Sequence, residues 1–501
     1  MNRKKIISLF ILISTILLSS WSLTAQAADL LEVYQQALMS DPLYQQAIAQ
    51  RLSTKQGVPI NIAELLPNAS VLATPGINRA AFSGSNYDTD INGVPLSPRN
   101  NTQRAYALTL SITQTVFDFG KFSALAGALA TSKGADATLN AALQDLMVRV
   151  ASAYFTVLND EDNLSYSEAT KLAYAKQLDQ IKQQYDVGLK TITDVYTAQA
   201  SYDSAIANYI ASENELDNDR ENLRVITGKY YPKLSALSEN FPLITPKPTN
   251  IEAWVNISQQ QNWSIRSSQY NVDTARQTIR QQFAGHLPTV NVEGTLDRLY
   301  TNDLNRYTTS VNQPSGPGTQ TDRGVAININ VPLFAGGGVI AQTNQATYNY
   351  QVAQQQLEQT IRNTMNTTRQ SYLGIISGIS QIKADKQAVK SSISSLEGME
   401  ASYRVGTETL VDVLNQQEKV YQAQTAYAAD RYAYVNSLFA LKQAAGTLGF
   451  EDLRAINAWL IEKSRAQVSN NHQDGHKNHH EIRQSESKKK VTTVALKSSV
   501  K

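Results

Sequence analysis

Four of the five histidines are clustered near the end of the chain, where they offer a metal-binding residue type. They are His472, His476, His479 and His480. Clustered imidazoles can bind transition metals. The surrounding sequence is polar and aperiodic and continues into three consecutive lysines, which is typical of disorder. We therefore predict that residues 464–501 form a disordered polar tail with no metal site.

A second metal-binding pattern, the start of a calcium loop, is incomplete. Asp88, Asp90 and Asn92 place oxygen ligands at alternate positions, and Gly93 occupies the sixth position. Such loops need a glutamate at position twelve to supply two oxygens. That position is Arg99, so the sequence predicts no calcium site, with a weak surface contact as the minor alternative.

No set of residues in the sequence resembles a catalytic centre. The chain has no cysteine, which excludes disulfides, thiolate metal sites, a cysteine nucleophile and a lipid-modified N-terminal cysteine. It contains no Walker A, G-x-S-x-G or H-E-x-x-H pattern. His286, the only histidine outside the tail, precedes Leu287-Pro288 and is interpreted as structural. We predict a protein that is not an enzyme and uses no cofactor.

The beginning of the chain has the features of a secretory signal peptide. Positive residues at 3–5 precede an apolar stretch from Ile6 to Ser20, and Ala25-Gln26-Ala27 provides a small-residue cleavage site. We predict that residues 1–27 are the signal peptide and that Ala28 begins the mature chain. An uncleaved anchor is the minor alternative, because the apolar stretch is short for a membrane helix.

The body of the chain, residues 28–463, contains 34 basic and 40 acidic residues, a net charge of −6. This balance gives no electrostatic support for nucleic-acid binding. No stretch of the body reaches 18 continuous apolar residues, so we predict no transmembrane helix. An exported chain of this kind is periplasmic, secreted or a β-barrel.

We predict that long helices make up most of the body. Proline is absent from 99–231 and from 333 onward, and proline interrupts helix interiors. Apolar positions repeat in heptads in these runs, as in helices packed side by side. A helix of about 65 residues would be roughly 100 Å long. The heptads span 192–223 and 410–441, with looser stripes at 122–185 and 338–402.

The body also repeats itself at an offset of 218 residues. Tyr185-Asp-Val-Gly188 matches Tyr403-Arg-Val-Gly406, Asp194-Val195 matches Asp412-Val413, and Gly228 matches Gly446. Such self-similarity indicates a tandem internal duplication. The predicted division is a first repeat at 28–227, a linker at 228–250, a second repeat at 251–446 and a C-terminal segment at 447–463.

Each repeat contains one candidate β-hairpin, at about 68–115 and 288–333. Apolar and polar residues alternate at 106–113, 290–293 and 325–331, and 68–74 is the weaker partner. This alternation suits a barrel wall in lipid, although a half-buried strand in a soluble sheet shows it too. Residues 76–103 and 301–322 are predicted to be surface loops. Four strands cannot close a barrel, so a trimer of twelve strands is the simplest even solution.

Several motifs, in this order, resemble the TolC family of outer-membrane efflux proteins over about 28–460. They are Gly188-Leu189 with Ile192-Thr193-Asp194-Val195, Tyr403-Arg404-Val405-Gly406-Thr407 with Val411-Asp412-Val413-Leu414, and Ala445-Gly446-Thr447-Leu448-Gly449. The resemblance implies a mainly α protein with transmembrane β-strands. It would be a homotrimer whose twelve-stranded β-barrel, four strands per chain, lies in outer-membrane lipid and is continued by a long periplasmic α-helical coiled-coil tunnel. Short helices near 228–250 and the region near 447–462 would form an equatorial belt.

The resemblance also implies a function. The chain would be an outer-membrane exit duct for tripartite efflux or type I secretion, a passive conduit for drugs or secreted proteins. Its partners would be a periplasmic adaptor protein and an inner-membrane pump, ABC or proton-driven. The alternative is a trimeric surface stalk or adhesin, which would gain nothing from two matched strand pairs.

The candidate site residues lie at the two points where helix pairs should turn. Gly188 and Gly406 suit the positive backbone torsion that ends a helix. By the resemblance, these turns are tips at a gated periplasmic entrance, into which Asp412 projects once per subunit as a cation-selecting ring. From the residues alone, Asp412 is an ordinary solvated helix residue. The family commonly has a second aspartate where this chain has Asn415, so a weaker field is expected.

The resemblance further assigns residues that hold the entrance shut by hydrogen bonds between neighbouring helices. The family commonly has an arginine where this chain has Glu408, which would repel Asp194 rather than pair with it. Lys190 or Arg404 is the candidate substitute. The predicted lock residues are Asp194, Tyr403, Glu408 and Thr193.

Overall fold

The computed structural model describes residues 27–81, 100–303 and 318–461. Two compact units divide these residues. The first unit takes its described residues from Met1–Gln45, Ala142–Asn262 and Met365–Lys501, and the second from Gln46–Ala141 and Trp263–Thr364. Both units draw on both predicted repeats, so the repeat boundaries stay a prediction. The signal peptide up to residue 26, the calcium-like pattern, the histidine cluster and the predicted tail lie outside the described residues.

The described chain is mostly helical, with a repeat-like order of helices, hairpin, long helix, turn and helix. The helices are α1 (Leu30–Ser40), α2 (Pro42–Lys55), α3 (Gly57–Ala63), α4 (Phe119–Asp186), α5 (Ile192–Thr227), α6 (Ile251–Gln261), α7 (Trp263–Phe283), α8 (Gly338–Val405), α9 (Leu410–Ala444) and α10 (Phe450–Asn457).

The four long helices α4, α5, α8 and α9 confirm the helices that the heptads predict. α4 and α8 each contain 68 residues, about 100 Å at 1.5 Å per residue. α5 begins at Ile192 and α9 at Leu410, where the two heptad runs begin. One 18-residue stretch of α4 is apolar enough to cross a membrane, whereas the sequence predicted no such segment. Half of this stretch is buried in the protein. A packed core helix explains such a stretch equally well.

The second unit contains a four-stranded antiparallel sheet of β1 (Asn68–Ala81), β2 (Asn100–Phe117), β3 (Thr289–Asp303) and β4 (Gly318–Asn330). The strand order is β1-β2-β3-β4. The strands extend into 76–103 and 301–322, so the predicted loops are too long. Backbone hydrogen bonds continue the ladder beyond the point where side-chain alternation fades.

One face of this sheet is apolar and the other is polar. Val71 lies opposite Leu110, which lies opposite Leu296, and such cross-strand partners point to the same face. On the other face, the Thr109 hydroxyl donates a 2.6 Å hydrogen bond to the Asp297 carboxylate. Much of the apolar face is exposed within the chain, including Leu108, Ile112, Val325 and Ile327.

The main core lies in the first unit, where aromatic rings from α4 and α9 pack together. Tyr154 donates hydrogen bonds to the carbonyls of Ala28 and Ser235, which ties the start of the described chain to the segment after α5.

The expectation of short helices near 228–250 is wrong. Four prolines interrupt that segment, and its only regular structure is the pair formed by Ala236–Leu237 with Leu460–Ile461. The region near 447–462 does contain a helix, α10.

Candidate functional site at the two helix turns

Both predicted turns are closed by a glycine in the left-handed conformation. Gly188 has φ of 76° and Gly406 has φ of 82°. At the end of α4, the amide of Leu189 donates to the Gln184 carbonyl at 2.8 Å. At the end of α8, the amide of Thr407 donates to the Ser402 carbonyl at 3.1 Å. This bonding satisfies carbonyls that a helix end leaves free, so both glycines are required by backbone geometry.

A capping box starts the helix that follows each turn. Thr191 and Asp194 exchange side-chain-to-backbone hydrogen bonds at the start of α5, and Thr409 and Asp412 do the same at the start of α9. The Asp412 carboxylate accepts from the Thr409 amide at 3.1 Å and from its hydroxyl at 2.5 Å. Each box satisfies two amides that a helix start leaves unpaired. This role was not among the predictions, although the Thr-x-x-Asp spacing signals it.

These hydrogen bonds keep both aspartates ionised. Bonds from the Thr409 hydroxyl and then the Thr409 amide lower the pKa of Asp412. The Thr191 amide and hydroxyl lower the pKa of Asp194, with a further contribution from the Lys190 charge. Hydrogen bonds to a charged form favour that form. A carboxylate held in this way is a fixed negative charge at neutral and mildly acidic pH.

Asp412 and Asn415 lie three residues apart on α9, and therefore on neighbouring positions of one helix face. Asp412 is half-buried and Asn415 exposed, whereas Leu410, Val413 and Leu414 point into the packing between α9 and its neighbours. Asn415 also lines a polar cleft of about 330 Å³ among α4, α5 and α9. Both side chains are thus available to groups outside the chain's own core.

The structure distinguishes between the two cations that the sequence offered for the lock. Lys190 Nζ lies 4.4 Å from the centre of the Tyr403 ring, within the range of a cation–π contact. Arg404 instead donates to the carbonyl of Glu400 in its own helix. The Glu408 carboxyl lies beside Asp412. Of the two candidates, Lys190 is the one brought to Tyr403.

Tyr403 itself packs against a small apolar cluster near the turns. Tyr174, Leu178, Val195 and Leu414 belong to this cluster. The Tyr403 hydroxyl is buried and makes no hydrogen bond within the described part of the chain.

Thr193 is exposed, and its carbonyl accepts from the Thr197 hydroxyl. Among the described residues, no group of three histidine, cysteine, aspartate or glutamate side chains is arranged to hold a metal.

Comparison with known proteins identifies the family of this chain. A model of the outer membrane efflux protein family matches residues 33–229 and 254–447. The chain belongs to the outer membrane efflux protein family. That family is not an enzyme family, and the protein is located in the outer membrane.

Individual members of the family match along nearly the whole chain. The outer membrane protein TolC of Escherichia coli (strain K12) is 38% identical over 464 residues, which cover 91% of this chain and 89% of that protein. The alkaline protease secretion protein AprF of Pseudomonas aeruginosa is 28% identical, with 87% and 88% covered. The crystal structure of the Campylobacter jejuni CmeC outer membrane channel has a similar fold, with a TM-score of 0.69, 16% identity and 86% and 89% coverage.

Proposed function

We propose that three copies of this chain form a passive exit duct for drugs or secreted proteins. Each copy would contribute four strands to a twelve-stranded barrel in the outer membrane and long helices to a periplasmic tunnel. The two halves of each chain would derive from a tandem duplication. The observation that carries the proposal is the sheet, because its apolar face is exposed and its edges are open.

The open edges argue for more than one copy. Within the described residues, β1 pairs only with β2, and β4 pairs only with β3. Unpaired backbone groups are costly in lipid, where no water can satisfy them. Pairing β4 of one copy with β1 of the next would remove both edges, and three copies would give twelve strands.

Mass measurement in detergent, combined with conductance in planar bilayers, tests this proposal. We expect a trimer that opens aqueous channels. A stable monomer would contradict the barrel. A trimer without any conductance would favour the alternative of a surface stalk.

We propose that the duct works with a periplasmic adaptor protein and an inner-membrane pump, ABC or proton-driven. Support comes from the names of the relatives, since AprF is an alkaline protease secretion protein and PrtF of Dickeya chrysanthemi a proteases secretion protein. Co-purification from crosslinked membranes tests the partnership. Recovery of the trimer without any inner-membrane protein would contradict it.

At the entrance, we propose that Asp412 from three subunits forms a cation-binding ring beside Asn415. At about 5 Å in water, one carboxylate attracts a divalent cation by roughly 1.7 kcal/mol. Asp412→Ala should therefore weaken block by divalent cations at least tenfold, and Asn415→Asp should strengthen it. Thr409→Ala is the matched control, since it breaks the same capping box but keeps the charge.

Single-channel recordings with divalent cations on the periplasmic side measure these effects. Equal block of Asp412→Ala and the wild type would remove Asp412 from the ring while leaving the channel itself intact. Similar losses in Asp412→Ala and Thr409→Ala would assign the effect to the helix start instead of the charge.

We also propose that the Lys190–Tyr403 contact, with Asp194, Thr193 and Glu408 around it, holds the entrance closed. Lys190→Ala should raise the conductance of the closed channel. Arg404→Ala is the control, because that side chain bonds within its own helix. Equal conductance of the two variants would contradict a specific role for Lys190.

A further inference from the structure

Each strand of the sheet carries one arginine and no lysine. They are Arg79 on β1, Arg104 on β2, Arg298 on β3 and Arg323 on β4. All four side chains are exposed within the chain. None forms a salt bridge with another described residue.

The strand register places these arginines on the apolar face. Arg298 lies opposite Leu108 on β2, and Arg323 lies opposite Leu296 on β3. Arg104 lies opposite Ile77, and Arg79 is two residues beyond Ile77 on the same strand. Because side chains alternate between faces with a period of two, all four arginines share the face of the apolar residues.

Acidic side chains lie on the opposite face of the sheet. Asp297 lies opposite Asp322 and accepts a hydrogen bond from Thr109. Glu293 accepts one from Asn328 at 3.0 Å. The two signs of charge are thus separated by the sheet, so the arginines cannot be neutralised by these acids.

The arginines also favour one end of the strands. Each lies between two and five residues from the strand end that leads into residues 82–99 or 304–317. The opposite half of the apolar face carries aliphatic residues such as Val290, Val292, Ile327 and Ile329. The rings of Tyr106 and Tyr300 lie among the arginines, with centroids 6.1 Å apart. Tyrosine is enriched at the level of lipid headgroups in membrane barrels.

We propose that Arg79, Arg104, Arg298 and Arg323 bind the phosphate groups of lipid headgroups in the outer leaflet. This inference rests on the proposed barrel, which turns the apolar face toward lipid. Because the helices adjoin the opposite strand ends and would lie in the periplasm, the arginine ends would lie at the outer leaflet. An arginine costs about 2–4 kcal/mol at the bilayer midplane and little near the interface. A guanidinium binds phosphate with two parallel hydrogen bonds. A trimer would present twelve such groups around its circumference.

Native mass spectrometry of the purified full-length trimer tests the proposal. The probes are a hexa-acylated glycolipid with two phosphates and the same glycolipid after enzymatic dephosphorylation. The test variant replaces the four arginines with glutamine, and a second variant replaces them with lysine. The matched control changes four helical arginines to glutamine, which are the exposed Arg224, Arg362 and Arg454 and the half-buried Arg369.

We expect the wild type and the control to retain the phosphorylated glycolipid at least tenfold better than the glutamine variant, with the lysine variant in between. The wild type should bind the dephosphorylated glycolipid as weakly as the glutamine variant binds the phosphorylated one. Equal retention of the two glycolipids by the wild type would overturn the proposal, and this comparison needs no variant to fold. Failure of the barrel itself would appear separately, as a wild type without bilayer conductance.

Discussion

Among the glycines that the structure describes, Gly446 is the one at which an added methyl group should do the most damage. It ends α9 with φ of 73°, and its amide donates to the Gln443 carbonyl at 2.9 Å. A Cβ placed there would lie 2.5 Å from the carbonyl carbon of Gln261 and 2.8 Å from the Cα of Asn262, with the Gln261 oxygen closer still. These are backbone atoms, which cannot move aside as a flexible side chain can.

The expected cost of Gly446→Ala has two parts. Left-handed backbone costs a residue with a Cβ about 1–2 kcal/mol. Overpacking adds about 1–3 kcal/mol, so the total should be about 2–5 kcal/mol. The clash would also separate Ala444 from Asn262, whose side-chain amide donates to the Ala444 carbonyl at 2.9 Å. Gly406→Ala and Gly188→Ala are matched controls, since their φ is equally positive but the space around them is open.

The rate of heat inactivation of the purified protein measures the difference. The controls share the cost of left-handed backbone, so the difference is the overpacking cost of about 1–3 kcal/mol. Since about 1.4 kcal/mol corresponds to tenfold in rate, Gly446→Ala should be inactivated roughly 5- to 150-fold faster than either control. If all three variants are inactivated at the same rate, the close approach to Gln261 carries no energetic weight and the reasoning is wrong.

Three further outcomes are expected. Burial, followed by the neighbouring Asp219, raises the pKa of Asp160 to about 7, so between about pH 4 and 7 the folded state binds a proton that the unfolded state does not, and stability is lost as the pH rises through this range. In urea unfolding, Asp160→Asn should therefore be more stable than the wild type at pH 8, by at least about 1 kcal/mol. Near pH 4 the two proteins should be equally stable. Arg149 donates to both oxygens of the buried Asp41 at 3.0 and 2.8 Å and lowers the pKa of that carboxyl. Arg149→Met should therefore lower the free energy of unfolding by about 3 kcal/mol at pH 7, and by less as acid protonates Asp41. The same loss of stability at pH 3 and pH 7 would contradict this. Deleting residues 464–501 should leave trimer formation unchanged in gel filtration, because that sequence is polar and aperiodic, and loss of the trimer would show the prediction to be wrong.

The helices and their turns were accessible from sequence because their signals are local. The heptad stripes begin at Ile192 and Leu410, where α5 and α9 begin. Gly188 and Gly406 mark the preceding turns, because glycine adopts the left-handed conformation far more easily than other residues do. The assignment of Asp412 to a pore has no such local signal. It depends on where neighbouring copies of the chain lie, and it stays a prediction.

Features set by contacts between distant segments were harder to predict. The segment 228–250 has an irregular path because prolines exclude helix and because it pairs with residues near 460. Only spatial proximity shows that Lys190, and not Arg404, reaches Tyr403. The arginine face was partly visible, since Arg104 alternates in phase with Tyr106 and Leu108, but the strand register was needed to place all four on one side.

The open edges of β1 and β4 constrain the order in which this protein can fold and assemble. A newly exported subunit that folded its sheet alone would expose two unpaired ladders and an apolar face to water, and such edges template aggregation. If the proposed barrel forms from several copies, strand formation should therefore be delayed until the other copies and lipid are both present. The helical unit, whose aromatic core is buried within one chain, has no such restriction. Assembly in the periplasm would then begin with folded helices and finish with the sheet, and a chain that lost its partners would become a substrate for chaperones and proteases.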